Sequence, residues 1–595
     1  MKSAILAATA LIVMATLSAC GGGGNNPPPP PPTTTVTVSP ATANVQEGST
    51  QQFTATVTNS SSTTVNWQVN GIAGGNASVG TIDSTGLYTA PDAIPNPASV
   101  TVTAVLQVNN AISSNAIVTV TAVQFGLSSL TGNYIFSLSG IDTNGNAFYA
   151  VGAIASDGNG NITGGEEDLN DSTAPAFGGG YSMTTAINGT YTLGSDGRGI
   201  LNLNSSLGQF SYAFAMRALS NAGLNEIDNA VINATGNLEQ QTAGGVTAPS
   251  GNYAFGFAGS ALCGTGNLTP INSNGIFSLS GTTVGGLQDQ NCNGTVVQSQ
   301  TLTGNYTGID SMGRGSGAFS STNTGNPDFV YYVVSANRYR FMCPDSATFF
   351  LGAADVQTQP SFTGSNFSGN YVISISDNTA AGVSYTLMEF KASSGSAANG
   401  AYDVNDTGAV STSSLSGAYS LSGNGYINGT FNVSSGALPF SMYLVSPTQA
   451  YYLDLRTNAV GGGNVYAQAS AVTSNADWAG SYATKQFGYF VTNIGISPAN
   501  STSVSGQISA NGNGSLAGTL DFNDPTNVFQ NQTLQGTYNV GTNAPGRMTV
   551  TITTGENGGT GTTRTYIGYI VDQTRVQLLE VDPGLTGSGD AIRQF

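Results

Sequence analysis

The sequence predicts an all-β fold class: a β-sandwich followed by four antiparallel meander repeats, each closing as a small eight-stranded β-barrel. Three observations carry this. The 595 residues hold 80 glycines and only 7% charged side chains, and Thr, Ser, Asn, Val and Tyr dominate the rest, residues of strands and tight turns rather than helices. A G-x-Y marker at Gly132/Tyr134 recurs at Gly251/Tyr253, Gly369/Tyr371 and Gly480/Tyr482, in steps of 119, 118 and 111 residues. Two further markers keep the same order: D-x-N-D at 168–171, 403–406 and 521–524 (Asp289-Gln290-Asn291-Cys292 in the second copy), and a mid-repeat G-x-Y at Tyr191, Tyr306, Tyr419 and Tyr538. Ordered self-similarity of this kind is the signature of a repeat architecture. A chain of this length exceeds one hydrophobic core, and its 39% apolar content is enough to fill several.

Residues 1–20 are expected to be a targeting segment. Lys2 gives the positive start, Ala4 to Leu17 is apolar but too short for a stable membrane helix, and the segment ends Leu17-Ser18-Ala19-Cys20. That ending resembles the lipobox of bacterial lipoproteins. The resemblance implies cleavage before Cys20, lipidation of Cys20 and, with Gly21 following, an outer-membrane or cell-surface location. Residues 21–35, GGGGNNPPPPPPTTT, read as a stalk whose prolines favour a stiff polyproline II spacer.

Residues 36–123 alternate apolar and polar over Gln52 to Val57, Val65 to Val69, Val100 to Val105 and Ile117 to Thr121. About seven short strands in this span suggest a sandwich with Trp67 at its core. The phrases VSPATANVQEGSTQQFTATVT, VNWQVNG and VGTIDSTGLYTAPDAIPNPASVTVTA resemble a group 2 bacterial Ig-like (BIG2-type) domain, without the cysteine pair of antibody domains. The resemblance implies an Ig-like fold, used in surface proteins as spacer or adhesin.

The repeats are expected at 130–242, 250–359, 367–470 and 478–595. In the first, eight strands are predicted over Tyr134–Ile141, Ala147–Ser156, Asn161–Asn170, Gly189–Gly194, Gly199–Asn204, Phe210–Leu219, Leu224–Asp228 and Gly236–Gln241. Hairpin turns such as Asp157-Gly158-Asn159-Gly160 and Asp196-Gly197-Arg198-Gly199 separate them. Closing such a meander hides its edge strands. Four barrels on a string is the favoured arrangement. The alternative is an eight-bladed propeller, since the eight G-x-Y marks fall 48 to 65 residues apart. A membrane-spanning barrel is disfavoured by the lipobox, the lack of aromatic girdles, and Asp590 and Arg593 beside the terminal Phe595.

Composition also bounds the chemistry. Net charge is −18, with 13 Lys and Arg in all and no histidine. Clustered basic residues for nucleic acid are lacking, as are Ser-His-Asp, Cys-His and His-zinc schemes. The chain is read as a non-enzyme. Asp157, Asn159, Asn161 and Asp168 faintly resemble a calcium loop, with Ile162 where glycine belongs, and the alternative is ordinary Asx turn capping. No other metal or cofactor is expected. Glu166-Glu167-Asp168 offers adjacent acids, but neighbours on a strand face opposite sides, unlike the facing pair that glycoside hydrolysis needs. Of Cys263, Cys292 and Cys343, two are expected to form a disulfide at one barrel rim, with the pairing open. The functional expectation is a lipid-anchored, non-catalytic surface protein that binds glycan or a surface protein and touches the membrane only through its lipid. The alternatives are an envelope spacer or an Asp/Glu polysaccharide enzyme acting through Asp168, Asp403 or Asp521.

Overall fold

The computed structural model describes residues 32–595 apart from 93, 143–145, 172–179, 185, 207, 229–231, 243–249, 265, 321–326, 346–347, 380, 470–471, 493–494, 525–526, 543 and 556–560. The targeting segment, Cys20 and most of the stalk lie outside the described residues. Eleven short strands follow, between Thr35 and Thr121. One sheet orders Thr42–Gln46, Ser113–Thr121, Ser99–Leu106, Val65–Val69 and Ile72–Ala73; another joins Thr50–Gln52, Leu87–Thr89, Gly80–Ile82 and Gly75–Asn76; a third pairs Thr35–Ser39 with Thr54–Thr58. They share one core in which Trp67 packs with Phe53, Tyr88 and Val102.

Four eight-stranded antiparallel barrels come next, running from Thr131, Gly251, Gly369 and Ala479. Each closes by pairing its first strand with its last: Tyr134 with Gln240, Tyr253 with Val356, Tyr371 with Ala467 and Tyr482 with Arg593. This closure excludes the propeller alternative. All eight strands expected of the first repeat are present, the fourth broken into Gly180–Thr184 and Asn188–Leu193, both paired to Asn161–Asp171. Inward side chains fill each barrel, for example Tyr134, Phe136, Leu138, Leu201 and Phe214 in the first.

The repeated markers have structural causes. The glycine of each opening G-x-Y sits at φ of 100°, 108°, 116° and 118°, a region that side-chain-bearing residues avoid. Its tyrosine is fully buried and donates its hydroxyl to a backbone carbonyl in the turn between strands six and seven: Leu219, Ala336, Pro447 and Gln573, at 3.0, 3.0, 2.9 and 2.8 Å. A buried tyrosine needs such a partner. The same bond in four copies fixes the barrel corner.

The barrels are not strung out; they form a closed ring. Barrel 1 packs on 2, 2 on 3, 3 on 4, and 4 back on 1. The glutamine that follows or ends each last strand donates its side-chain amide to two carbonyls of the next barrel: Gln241 to Met312 and Val333, Gln357 to Asn424 and Leu444, Gln468 to Pro545 and Ile570. Gln594 does the same to Asp196 and Met216 of barrel 1, at 2.9 and 2.8 Å. The turn glycine beneath this amide must stay small: a Cβ on Gly197 would lie 2.6 Å from Gln594 Nε2, and one on Gly546 2.7 Å from Gln468 Nε2. The N-terminal unit docks at the seam between barrels 4 and 1, through an Arg593–Asp92 ion pair at 2.6 Å and a bond from Phe125 N to Ser195 O.

Candidate functional site

The D-x-N-D marker lies in these seams. Asp168 of barrel 1 accepts from Arg314 Nε of barrel 2 at 2.7 Å and from the Tyr332 hydroxyl at 2.7 Å; Tyr181 also donates to it. Asp403 accepts from Arg547 Nε at 2.8 Å and Tyr569 at 2.5 Å. Asp521 accepts from Arg198 Nη1 of barrel 1 at 3.1 Å. In the second repeat, Asp289 lies beside Tyr426, which occupies the arginine position. The marker's asparagine crosses the same seam to a backbone carbonyl: Asn170 to Cys343, Asn291 to Asp454, Asn405 to Glu580 and Asn523 to Glu226, at 2.8, 2.9, 2.7 and 2.9 Å. Sequence reasoning found the marker and missed its partners. The signal was a second recurrence: an arginine follows the turn glycine at Gly197, Gly313 and Gly546.

The residues considered for calcium are not brought together. The Asp157 carboxylate closes its own turn, accepting from Asn159 N, Asn161 N and Asn161 Nδ2. Asp168 stands seven residues further along the strand Asn161–Asp171, roughly 23 Å at strand rise, and is taken by Arg314. Among the described residues no cluster of three or more metal-ligating acids, cysteines or histidines occurs. The adjacent acids do split: Glu166 faces Asp310 and Arg314 in the seam, and Glu167 accepts from Ser205 within barrel 1. Burial, helped by the Asp310 charge, pushes Glu166 up to about 7; burial, against the Ser205 bond, pushes Glu167 to about 7. Cys263 and Cys292 form the disulfide, and Cys343 is a buried free thiol.

The ligand-sized space is at the centre of the ring. A cavity of about 1210 Å³ is walled by strands from all four barrels. Five of the chain's 13 basic residues line it: Arg217, Arg338, Arg340, Lys485 and Arg575. Three carboxylates answer them. Glu239 pairs with Arg338 and Arg340 at 2.9 and 2.6 Å, Asp355 with Arg338 at 3.3 Å, and Asp590 with Arg217 at 2.7 Å. Burial works against a charged Glu239, but the Arg340 and Arg338 guanidiniums outweigh it and hold the carboxyl down at about 2. Lys485 donates to Asn237 Oδ1 at 2.9 Å, and burial lowers it to about 8. The Arg575 guanidinium lies 4.2 Å over the Tyr466 ring.

None of these cations recurs in all four barrels, and Arg338 and Arg575 alone share a register position. Where Lys485 stands, three residues past the G-x-Y tyrosine, the other repeats carry Ser137, Gly256 and Ser374. Where Arg217 stands, at the bulge before the seventh strand, they carry Val334, Val445 and Val571. In the register of Arg338 and Arg575, barrels 1 and 3 have Asn221 and Gln449. The seam residues largely repeat. A glycine of the last strand also recurs (Gly236, Gly352, Gly463, Gly589) and lines the cavity in the first three barrels, while the charged positions there have diverged.

No protein-family model matches the chain, and no curated protein does. Among solved structures, the intact transferrin-binding protein Ap-TbpB, N and C lobes, aligns over 63% of this chain and 84% of its own at 9% identity, with a TM-score of 0.19. A variant of Transferrin Binding Protein B from Haemophilus parasuis covers 63% and 83% at 9% identity and 0.17. The isotype 1 protein from serogroup B Neisseria meningitidis covers 64% and 83% at 10% and 0.19. A likeness this distant carries no functional argument.

Proposed function

We propose that this chain is an exported, lipid-anchored, non-catalytic surface protein that binds a glycan or another surface molecule. One observation carries the reading: the repeating polar residues hold the ring together, while five of the 13 basic residues gather on the central cavity, at positions where at least two of the other barrels carry neutral side chains. Fold maintenance does not call for a gathering of cations there, and an anionic ligand does. The barrel interiors are filled with their own apolar side chains, so binding falls to the space between them, where cavities between packed elements commonly serve. The Ig-like resemblance, the lipobox and the proline stalk support display outside the cell. The carboxylates in the seams are engaged by arginine and tyrosine, which supports a structural role over general acid–base work.

The test is a glycan-array and cell-surface-protein screen of the chain from Gly21 to Phe595, with globomycin-sensitive processing and palmitate labelling at Cys20 checked in the producing cell. Saturable binding without turnover of the bound polymer supports the reading. Hydrolysis of any polysaccharide, or a blank result across both screens, refutes it.

A further inference from the structure

The central cavity has more positive charge than its own carboxylates neutralise. Five cations face three acids, in a protein whose overall charge is −18. Among the described residues, Lys485 and Arg575 have no carboxylate within ion-pair distance; Lys485 is held by an amide oxygen and Arg575 by an aromatic face. Arg217 Nε is buried without a hydrogen-bond acceptor among those residues. Arg338 keeps a third of its side chain exposed, at 33%. Lys485 and Arg575 are half-buried, and Lys485 shares Asp590 with Arg217. A partly desolvated cation without its own paired carboxylate is stabilised by an added anion, so this arrangement is a standing preference for an anion. Planar guanidinium forks suit carboxylates.

The rest of the wall narrows the class. Each barrel contributes a half-buried aromatic ring: Tyr149, Phe257, Tyr466 and Phe487. Between them lie small hydroxyl and amide side chains such as Ser139 and Asn464, both exposed, and the half-buried Asn378. Cations, flat apolar faces and many short hydrogen-bonding groups are what an acidic sugar presents a need for: carboxylate, ring face and hydroxyls. The volume holds a few sugar rings and not a folded chain.

We infer that the central cavity binds a short carboxylate-bearing oligosaccharide, with its carboxylates taken by Lys485 and Arg575, and its ring faces laid on Tyr149, Phe257 and Phe487. This rests on the surface-binding reading and specifies its ligand. It also places recognition on the ring axis rather than on the outer wall. The excess charge is local. The acidic exterior repels long polyanions, which selects short chains or chain ends.

The experiment is calorimetric titration of the chain from Gly21 to Phe595 with oligogalacturonate of three to five units, a neutral oligosaccharide of equal length, and inorganic phosphate. It is repeated on a Lys485→Ser/Arg575→Gln double variant. Both replacements are residues that other repeats carry at the same register position, so the barrels accommodate them, and an unchanged melting temperature confirms it. The expected result is oligogalacturonate binding that weakens at least tenfold in the double variant and falls with added salt, with no binding of the neutral chain. Equal affinity for inorganic phosphate overturns the sugar assignment. Unchanged affinity in the double variant overturns the site. Array binding that survives in that variant leaves the surface-binding reading standing while this inference falls, so the two failures are separable.

Discussion

Asp403 shows what a marker residue does at the scale of one side chain. Its carboxylate is fully buried and accepts from Arg547, Tyr569 and, at 2.6 Å, Thr412. Replacing it with alanine takes the shared acceptor from a guanidinium and a phenol, with the Glu389 carboxyl the nearest acid left beside them. Breaking a buried, hydrogen-bonded pair from one side costs about 3–5 kcal/mol. The Asp403→Ala chain is expected to lose that much stability in urea unfolding. Asp289→Ala, whose neighbour is Tyr426 instead of arginine, should lose less, about 1–3 kcal/mol. Equal losses at the two seams would contradict the role given to the arginines. Asp403 was visible in the sequence as a recurring position, but a turn cap and a seam ligand carry the same letters. Only the partner distinguishes them, and Arg547 lies 144 residues away.

At the scale of the strand, buried acids set the response to pH. Burial pushes Glu167 up to about 7, Glu389 to about 8 against the pull of Arg547, and Glu580 to about 8 against Arg564. A carboxyl whose folded pKa is raised binds its proton more tightly when folded. Its contribution is present in full below the unfolded value near 4.5 and is lost as pH rises through the folded value. Glu239, held at about 2, acts in the opposite sense: its contribution is present above about 4.5 and is lost as pH falls toward 2. Stability should therefore peak near pH 5 and decline between pH 5 and 9. Thermal melts at pH 5 and 8.5 check this; a higher melting temperature at 8.5 contradicts it. The second repeat adds a covalent strap. Cys263 follows its first strand and Cys292 ends its third, 29 residues apart, with Cα atoms at 5.7 Å. Loop-closure entropy at that span gives about 3–4 kcal/mol on reduction. Denatured without reductant, the chain from Gly21 should titrate a single thiol, that of Cys343; three thiols would mean no bridge. The strands were legible because their punctuation is local: Asp157-Gly158 and Asp196-Gly197 announce hairpins with no help from tertiary structure. The broken fourth strand of the first repeat was only half legible, as Gly180–Thr184 takes its place from its partner strand and not from its own pattern. The cavity cations were hidden for a related reason. Each is a single polar residue on an outward-facing or bulge position of its strand, and nothing local marks it until the ring sets which outward direction is the axis.

For the whole molecule, ring closure is the feature that separates this architecture from beads on a thread. A compact body of residues 36–595 scales to a radius of gyration of about 24 Å, whereas five touching 100-residue domains in a line, each about 13 Å, exceed about 40 Å. Small-angle scattering of the chain from Gly21 should read below about 30 Å; a value near the linear figure would refute the ring. Composition and markers pointed to four barrels but not to their arrangement, because the glutamine amides that tie each barrel to the next are single residues with no periodic signal. Gln594 differs from Gln241 only in where its acceptors lie: not in the following repeat but in the first.

The four seams are one heterologous interface used four times, and a rotation that closes after four steps is that of a cyclic homotetramer. The present chain is therefore equivalent to such a tetramer whose subunits have been joined end to end. In a true homotetramer every substitution appears four times, so an arginine facing the axis would meet three copies of itself. Joining the subunits removes that constraint. Arg217 can replace a valine in one quarter alone, and barrel 3 can keep Tyr451 where barrel 2 places Arg340. Fusion thus turns a symmetric pore into a pocket with distinguishable sides, able to orient a ligand that has no fourfold symmetry of its own.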